Sequence, residues 1–355
     1  MDYVERFLKA REQGQGKRLK VGFFGLGRTN LALAKRLKPL VGSITVRSDS
    51  APEASLLCQI NPERVLIKER ALTDIDEDVL LLSPSVRRDK AELLLNGDTL
   101  LSSDCELFFS YRDMSTPLFA VSGSDGKSTV TYLASLMLKR SGISSEAVCN
   151  FGLPFCEMGE CTPVAELSSF NLQYLDGECD RATVTTITPN HLDWHSSFEE
   201  YRDCKLKLIK MSREFVYNAD CPIIRNTLST NKEVYATVSQ KNSYQELKRV
   251  NKASLYYTLE NGLIKRNGEK FISVCDLKRL EAHNIINFMN AAALTDGYAD
   301  REAILGVGES FEGLAHRCQS LGVILGVEYI DSSIDTSPDR TARTLVALDR
   351  RVIII

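Results

Sequence analysis

The sequence contains no apolar run close to the roughly 20 residues that a helix needs to cross a membrane, so a membrane-spanning protein is not expected. Its N-terminus also lacks the basic segment followed by an apolar core that marks a signal peptide. Neither sign of charge is in excess, because 44 Lys and Arg face 47 Asp and Glu, whereas nucleic-acid-binding domains are normally basic. These absences predict a protein with no membrane or nucleic-acid partner.

Closely spaced cysteine pairs are missing as well. The ten cysteines are scattered and none forms a CxxC pair, although zinc sites normally show such short paired spacings. Disulfide frameworks belong to small secreted chains, and this chain has 355 residues. We therefore predict a reduced, cytoplasmic protein in which most thiols are small buried hydrophobic groups.

Short apolar segments alternate with helical ones along most of the chain. The length favours about two or three domains, and the alternation favours an α/β fold with parallel sheets. A helix is predicted within residues 1–16 and another at 128–141, closed by Gly142. Strands are predicted at 19–25, 43–46, 64–67, 79–82, 118–122, 164–167, 182–187, 214–217, 254–258, 263–265, 323–325, 327–330 and 351–355.

The strongest chemical signal is a glycine-rich loop between a predicted strand and a predicted helix. Successive backbone N–H groups of such a loop form a cradle for phosphate. We expect Lys127 to reach the terminal phosphates of ATP and the Ser128 hydroxyl to coordinate Mg²⁺. Val121 stands where the longer pattern has its first glycine, so this is the shorter G-x-x-G-K-S-T form. The loop consists of Gly123, Ser124, Asp125, Gly126, Lys127, Ser128 and Thr129.

A second glycine loop, Gly25-x-Gly27-x-x-Asn30, follows the first predicted strand. The dinucleotide-binding fingerprint has glycine or alanine where this loop has Asn30, and the acid expected after the second strand is only loosely matched by Asp49. An NAD site is therefore a weaker interpretation than a loop that holds another phosphorylated ligand.

Three further polar features follow predicted strands or lie on a helix. Glu166 comes at a strand end beside the glycine loop, where a carboxylate can hold Mg²⁺, although it could equally cap a helix. The segment His191-x-Asp193-x-His195 could bind a divalent ion or serve only the hydrogen bonding of its loop. Lys205 would ordinarily be a solvated helix lysine. The residues by themselves leave these alternatives open.

Taken together and in this order, six segments resemble the Mur ligase family. Each motif alone is weak, but six in register are specific, and the resemblance covers nearly the whole chain. It is nearest to the branch that adds D-glutamate to UDP-N-acetylmuramoyl-L-alanine. The segments are 123–129, 166–170, 188–193, 201–205, 283–287 and 313–317.

The resemblance implies three domains. These are a Rossmann-like N-terminal domain for the UDP-substrate (1–112), a central P-loop ATPase domain with a parallel sheet (113–313) and part of a Rossmann-like domain for the incoming amino acid (314–355). The last of these would be incomplete within this sequence. The first glycine loop would approach the UDP pyrophosphate. The residues that match substrate-contacting segments are Arg28, Thr29, Ser83 and Asn150.

The resemblance also implies residue roles in an ATP-driven ligation. ATP would phosphorylate the substrate carboxylate, and the amine of D-glutamate would attack the resulting acyl phosphate; a monomer is the default state. The side chains implied to be catalytic are Lys127, Glu166, His191 and Lys205, the last matching a lysine that carries a carbamate. Mg²⁺ would be held by Ser128, Glu166, His191 and the carbamylated Lys205. Besides the glycine loop, ATP would be contacted by Asn284, Asn287 and Arg317.

Some positions depart from the family pattern. Asn190 stands where an acidic residue is expected, and Ser332 and Ile334 stand where the best-known members have a hinge Asp and Lys. One alternative is an incomplete, non-catalytic relative that binds ATP and UDP-substrate only. Another is a ligase like folylpolyglutamate synthase, although residues 166–170 favour the muramoyl branch. A generic P-loop kinase fits least, because it needs neither the 283–287 helix nor the 313–317 segment.

Overall fold

The fold consists of two large β-sheets with helices packed on them, followed by a two-stranded hairpin. The α/β class predicted from the alternating segments is confirmed. No helix in the part of the chain that the structure describes is long and apolar enough to cross a bilayer. A computed structural model describes residues 2–12, 18–73, 75–92, 95, 99–227, 234–278, 282–333, 341–342, 344–345, 348 and 351–354, so Ile334 lies outside the described residues.

The first sheet has five parallel strands in the order β3-β2-β1-β4-β5, which is the Rossmann-like arrangement that was predicted. Its fourth strand is buried along its whole length, as is typical of a parallel strand covered on both faces. The strands are β1 (Lys20–Phe24), β2 (Ser43–Ser48), β3 (Arg64–Ile67), β4 (Val79–Leu82) and β5 (Leu100–Ser102). The helices are α1 (Tyr3–Glu12), α2 (Arg28–Leu37), α3 (Ala54–Ile60), α4 (Arg88–Glu92) and α5 (Asp104–Tyr111).

The second sheet has nine strands in the order β14-β13-β12-β11-β10-β9-β6-β8-β7. The predicted parallel pairing is confirmed from β6 to β12, whereas β13 and β14 form an antiparallel extension that was not predicted. The strands are β6 (Phe119–Ser122), β7 (Ser145–Cys149), β8 (Thr162–Glu166), β9 (Cys179–Val184), β10 (Ser212–Asn218), β11 (Val234–Ser239), β12 (Ala253–Glu260), β13 (Leu263–Arg266) and β14 (Glu269–Ser273).

Helices α6 and α11 pack against each other beside this sheet, and each has a defined C-terminus. Helix α6 ends as predicted at Gly142, and the N–H of Ile143 donates to the Leu138 carbonyl at 3.0 Å. Helix α11 is closed by Arg181, which donates to the Leu294 carbonyl at 2.9 Å. The helices of this part are α6 (Lys127–Arg140), α7 (Ser169–Tyr174), α8 (Phe198–Met211), α9 (Pro222–Thr227), α10 (Tyr244–Val250), α11 (Ala282–Thr295) and α12 (Arg301–Ser310). Short 3₁₀ segments lie at Lys68–Leu72, Phe155–Glu157 and Val274–Asp276.

The described C-terminal part is a hairpin of β15 (Gln319–Ile324) and β16 (Val327–Asp331). Both strands were predicted, but the buried strand predicted at 351–355 is wrong for residues 351–354, which have no regular structure. Ile353 is 91% exposed. An apolar run becomes a strand only where a neighbour accepts its backbone hydrogen bonds, and within the described residues the two hairpin strands pair with each other.

The predicted domain boundaries fall between secondary-structure elements. The boundary after residue 112 lies between α5 and β6, and the boundary after residue 313 lies between α12 and β15. We therefore propose that each of the three predicted domains contains one of the three sheets.

The cysteines are less buried than predicted. All ten are free thiols, but only Cys105, Cys156, Cys179 and Cys221 are buried, so the expectation for most of them is wrong. Cys58 on α3 and Cys275 in a 3₁₀ segment are exposed, and both belong to elements that bury little, with Ile60 as the buried residue of α3 and none in the 3₁₀ segment.

Candidate active site

The phosphate loop joins β6 to α6, as predicted. Strand β6 pairs with β8 on one side and β9 on the other, so its end is held inside the sheet. Gly126 is the N-cap of α6 and has a φ of 82°, a left-handed conformation that favours glycine. Gly126 has no side chain with which to cap this end of the helix, and the first N–H groups and the positive end of the helix dipole lie at the loop. This geometry is suited to binding phosphate.

The segment that follows β9 pins the loop in place. The backbone N–H of Ser124 donates to the Thr186 carbonyl at 2.7 Å, and that of Asp125 donates to the Thr186 hydroxyl at 3.1 Å. The Ser124 hydroxyl accepts the N–H of Thr188 at 2.9 Å and lies 2.8 Å from the hydroxyl of buried Tyr201. These contacts were not predicted from the sequence. Polar residues directly after a strand that neighbours β6 were the available signal.

Two lysines reach the loop from different helices. Lys127, the first residue of α6, donates its Nζ to the Ser124 carbonyl at 3.0 Å. Lys205 on α8 is only 2% exposed and donates its Nζ to the Gly123 carbonyl at 2.7 Å, so the interpretation of a solvated lysine is wrong. Burial, and then the charge of Lys127, hold the pKa of Lys205 well below its ordinary value. A larger fraction of its amine is therefore neutral, which is the form that can react with carbon dioxide.

Glu166 is a buried carboxylate held from one side. Its Oε1 accepts the side-chain amide of Asn150 at 2.6 Å, while its Oε2 is buried and has no hydrogen-bond partner among the described residues. Helix α7 is capped instead by Ser168 in a capping box with Asn171, so the helix-capping role considered for Glu166 is wrong. A buried, unpaired carboxylate oxygen is costly unless a cation reaches it. Together with the Ser128 hydroxyl, it fits the all-oxygen preference of Mg²⁺.

The His191-x-Asp193-x-His195 segment does not assemble a metal site. His195 is buried, with its Nε2 2.9 Å from the Ser169 hydroxyl, and burial lowers its pKa. His191 is exposed with a φ of 54°, and its ring lies 5.1 Å from that of Phe170. No three described His, Cys, Asp or Glu side chains are grouped closely enough to hold a metal ion by themselves. The loop-bonding alternative is therefore favoured for His195, and the ligand role of His191 stays a prediction.

The predicted ATP contacts from later in the chain converge on the same loop. Arg317 donates its Nη2 to the Ser128 hydroxyl at 3.0 Å, 189 residues away in sequence. Asn287 on α11 is buried against Gly126, where a Cβ atom would lie 3.1 Å from the Asn287 Cγ. Asn284 lies one turn earlier on the same helix and is half-buried, and Thr129 is buried in the first turn of α6.

A cavity of about 150 Å³ lies between the two large sheets. Of the four predicted substrate residues, Arg28, Thr29 and Asn150 line it, and Arg28 also donates to the Cys149 carbonyl at 3.3 Å. Ser83 is buried beside Gly25, with its hydroxyl 3.2 Å from that of Ser85. The other lining residues are Leu82, Pro84, Ser103, Asp104, Cys105, Cys149 and Asn171.

Asn30 has a structural role in the first glycine loop. Its side-chain amide donates to the Gly25 carbonyl at 2.7 Å and lies within 3.4 Å of the carbonyls of Phe24 and Leu81. It therefore joins the ends of β1 and β4, which explains why a residue larger than glycine or alanine fits at this position. Asp49 follows β2 and is exposed.

Comparison with known proteins agrees with this geometry. A family model described as the Mur ligase middle domain matches residues 121–295, which include the phosphate loop, Glu166, Lys205 and Asn287. The chain is 31% identical over 354 residues to the UDP-N-acetylmuramoylalanine–D-glutamate ligase of Clostridium botulinum, covering 95% of this chain and 74% of that one. It is 29% identical over 350 residues to the protein of the same name from Clostridium kluyveri, with the same coverage.

Solved structures show the same fold. The UDP-N-acetylmuramate–alanine ligase of Thermotoga maritima superposes with a TM-score of 0.62 at 20% identity, covering 93% of this chain and 77% of that one. A murein peptide ligase from Psychrobacter arcticus superposes with a TM-score of 0.57 at 16% identity, covering 94% of this chain and 77% of that one.

Proposed function

Because this chain belongs to the Mur ligase family of ATP-dependent amide ligases, we propose that it joins D-glutamate to the carboxylate of UDP-N-acetylmuramoyl-L-alanine. One observation carries the proposal. Asn150 lines the cavity beside Arg28 and also holds Glu166, at the end of the strand next to β6. A substrate carboxylate that reached through the cavity past Asn150 would therefore arrive beside Glu166 and the phosphate loop. The relatives named as this ligase support D-glutamate as the incoming amino acid.

The proposed chemistry needs activation of the carboxylate, because a free carboxylate is a poor acyl donor. One carboxylate oxygen attacks the γ-phosphorus of ATP, and ADP leaves. The amine of D-glutamate then attacks the acyl carbon, the nitrogen loses a proton and phosphate departs. The protein contributes little covalent chemistry to these steps, so catalysis consists mainly of positioning and charge neutralisation.

The residues around the loop have distinct roles in this proposal. The N–H groups at the start of α6 hold phosphate oxygens, and Lys127 neutralises charge on the transferred phosphoryl group. Bound Mg²⁺ would neutralise and orient the phosphates. Its proposed ligands are Ser128, Glu166, His191 and the carbamate of Lys205. Asn284, Asn287 and Arg317 would contact ATP, while Arg28, Thr29, Ser83 and Asn150 would contact the UDP-substrate. We propose further that the enzyme acts as a cytoplasmic monomer.

Phosphate release by the purified chain tests the proposal. The assay contains Mg-ATP and UDP-N-acetylmuramoyl-L-alanine, with D-glutamate present or omitted, and L-glutamate as the matched stereochemical control. We expect turnover that requires D-glutamate, together with a product whose mass equals the two substrates minus water. UDP-N-acetylmuramate with L-alanine tests the reaction named for the Thermotoga structure. Turnover with that pair alone would replace the proposed substrates, and binding of ATP and UDP-substrate without turnover would favour the non-catalytic alternative.

A further inference from the structure

Two cysteines from distant parts of the sequence line the cavity. Cys105 lies in the first turn of α5, and Cys149 is the last residue of β7. Cys105 is buried, Cys149 is half-buried, and both are free thiols. Burial raises the pKa of the Cys105 thiol well above its ordinary value, and the adjacent Cys149 thiol raises that pKa further. Because both residues also line one cavity of about 150 Å³, their sulfurs are neighbours across the boundary between the two large sheets.

The backbone at Cys149 is unusual and is connected to the candidate active site. Its φ of 78° is left-handed, which costs free energy for a residue that has a Cβ atom. The conformation is held by the Cys149 N–H, which donates to the Leu153 carbonyl at 2.8 Å, and by Arg28, which donates to the Cys149 carbonyl. The next residue is Asn150, which holds Glu166. A covalent change at Cys149 would therefore affect both Arg28 and Asn150, which line the cavity.

We propose that Cys105 and Cys149 form a dithiol modification site that closes the cavity when their sulfurs are covalently joined. Neighbouring thiols can be joined by a disulfide or by an atom that binds both. Either link would tie α5 to the end of β7, so that the two sides of the cavity could no longer move apart to admit a ligand. The loss of substrate binding rests on the proposed function, whereas the dithiol chemistry does not.

Two reactions lead to this link. With a peroxide, the more exposed Cys149 thiolate attacks an oxygen atom, giving a sulfenic acid and water after proton uptake. The Cys105 thiol then attacks the sulfenic sulfur, an S–S bond forms, and the thiol proton leaves with the sulfenic oxygen as a second water. Two thiols are thus oxidised and one peroxide is reduced to two waters. With a trivalent arsenical oxide, two As–S bonds replace the As–O bond and one water leaves, without electron transfer.

Phenylarsine oxide tests the dithiol directly on the full chain. We expect one tightly bound arsenical per chain, because capture by a second, adjacent thiol strengthens binding by about 100-fold or more over a single thiol. Cys105→Ser and Cys149→Ser should each lose that tight site, while Cys179→Ser, which removes a buried thiol outside the cavity, should keep it. Tight binding that survives in both cavity variants would overturn the proposal.

Hydrogen peroxide tests the disulfide and its effect. Peptide mapping should find Cys105 linked to Cys149, and the affinity for UDP-N-acetylmuramoyl-L-alanine should fall roughly tenfold or more and return with dithiothreitol. Cys105→Ser should keep its affinity after peroxide. Unchanged affinity in the linked wild type would refute closure of the cavity. If the untreated chain does not bind this UDP-substrate, the proposed function fails, while the arsenical result still decides whether the dithiol exists.

Discussion

Gly126 and Gly142 stand at opposite ends of helix α6, and both have a left-handed φ, of 82° and 81°. They differ in what a side chain would meet. A Cβ atom at Gly126 would overlap the Oδ1 atom of Asn287, whereas a Cβ atom at Gly142 would have nothing within 4 Å. Replacing each by alanine therefore separates backbone strain from steric overlap at the phosphate loop.

The two variants should differ in stability by a defined amount. In both variants, an L-residue in left-handed backbone lowers the free energy of unfolding by about 1–2 kcal/mol. Gly126→Ala must in addition displace the buried Asn287 side chain, and forcing an extra methyl into a packed site costs about 1–3 kcal/mol. We expect Gly142→Ala to lose only the unfolding free energy that the left-handed backbone costs, and Gly126→Ala to lose this together with the cost of displacing Asn287. Gly126→Ala should also weaken ATP binding, because Asn287 and the loop must move apart.

Urea unfolding measures the difference. The fluorescence of Trp194, the single tryptophan, reports on the fold near the site, since its ring lies 4.6 Å from that of Phe170. The double variant Gly126→Ala/Asn287→Ala completes a mutant cycle, in which the added cost of Gly126→Ala should shrink to that of Gly142→Ala. Equal losses for the two single glycine variants, or a strictly additive cycle, would show that Asn287 does not press on the loop.

Three further outcomes are expected. Lys127→Ala should abolish nucleotide turnover while leaving UDP-substrate affinity within about twofold in a calorimetric titration. The control Lys139→Ala, at the exposed end of the same helix, should change neither turnover nor affinity. Loss of both turnover and UDP-substrate affinity in Lys127→Ala would indicate misfolding or a shared site. Glu166→Gln should remove the rise in melting temperature that Mg-ATP gives the wild type, without lowering the melting temperature measured without metal. The reason is that it neutralises a carboxylate whose second oxygen is buried and has no hydrogen-bond partner among the residues that the structure describes. The fold lowers the pKa of Lys205 below the value of 10.5 that it has in the unfolded chain. Between these two pKa values the unfolded chain carries a proton on Lys205 that the folded chain lacks, so the unfolding free energy falls as pH falls. Between about pH 7 and pH 10, the unfolding free energy of the wild type should therefore rise with pH relative to that of Lys205→Met. The variant of a more exposed lysine, Lys207→Met, should show the same pH dependence as the wild type. Parallel pH profiles for the wild type and Lys205→Met would contradict a depressed pKa.

Local patterns were enough to predict much of the fold. The strands at 64–67 and 79–82 were predicted with the bounds that the structure shows, because each is a short apolar run bounded by polar residues. The strands β5, β7, β11 and β14 were missed. Strand β7 begins with polar Ser145 and Glu146 at a sheet edge, and β11 lies in a polar stretch. The predicted strand at 351–354 failed because strand formation depends on a partner and not on composition alone.

The candidate site was less predictable, because its contacts span long sequence distances. The phosphate loop is a local pattern and was recognised from its residues. The state of Glu166 depends on Asn150, and the contact of Arg317 with Ser128 joins residues 189 positions apart, so no spacing rule could reveal either. The burial of Lys205 was also not predicted, although Tyr201, Leu208 and Ile209 lie at helical spacing from it and form the buried face of α8.

The interior position of β6 has a consequence for the order in which the protein can be made. Both partners of this strand, β8 and β9, come later in the chain, and the threonines that pin the phosphate loop follow β9. A ribosome that has released only residues up to the end of α6 has therefore exposed the complete loop sequence but none of its supports. Because pairing waits for these later segments, the nascent chain should acquire nucleotide binding only after Thr186 has emerged, and full support only after Lys205.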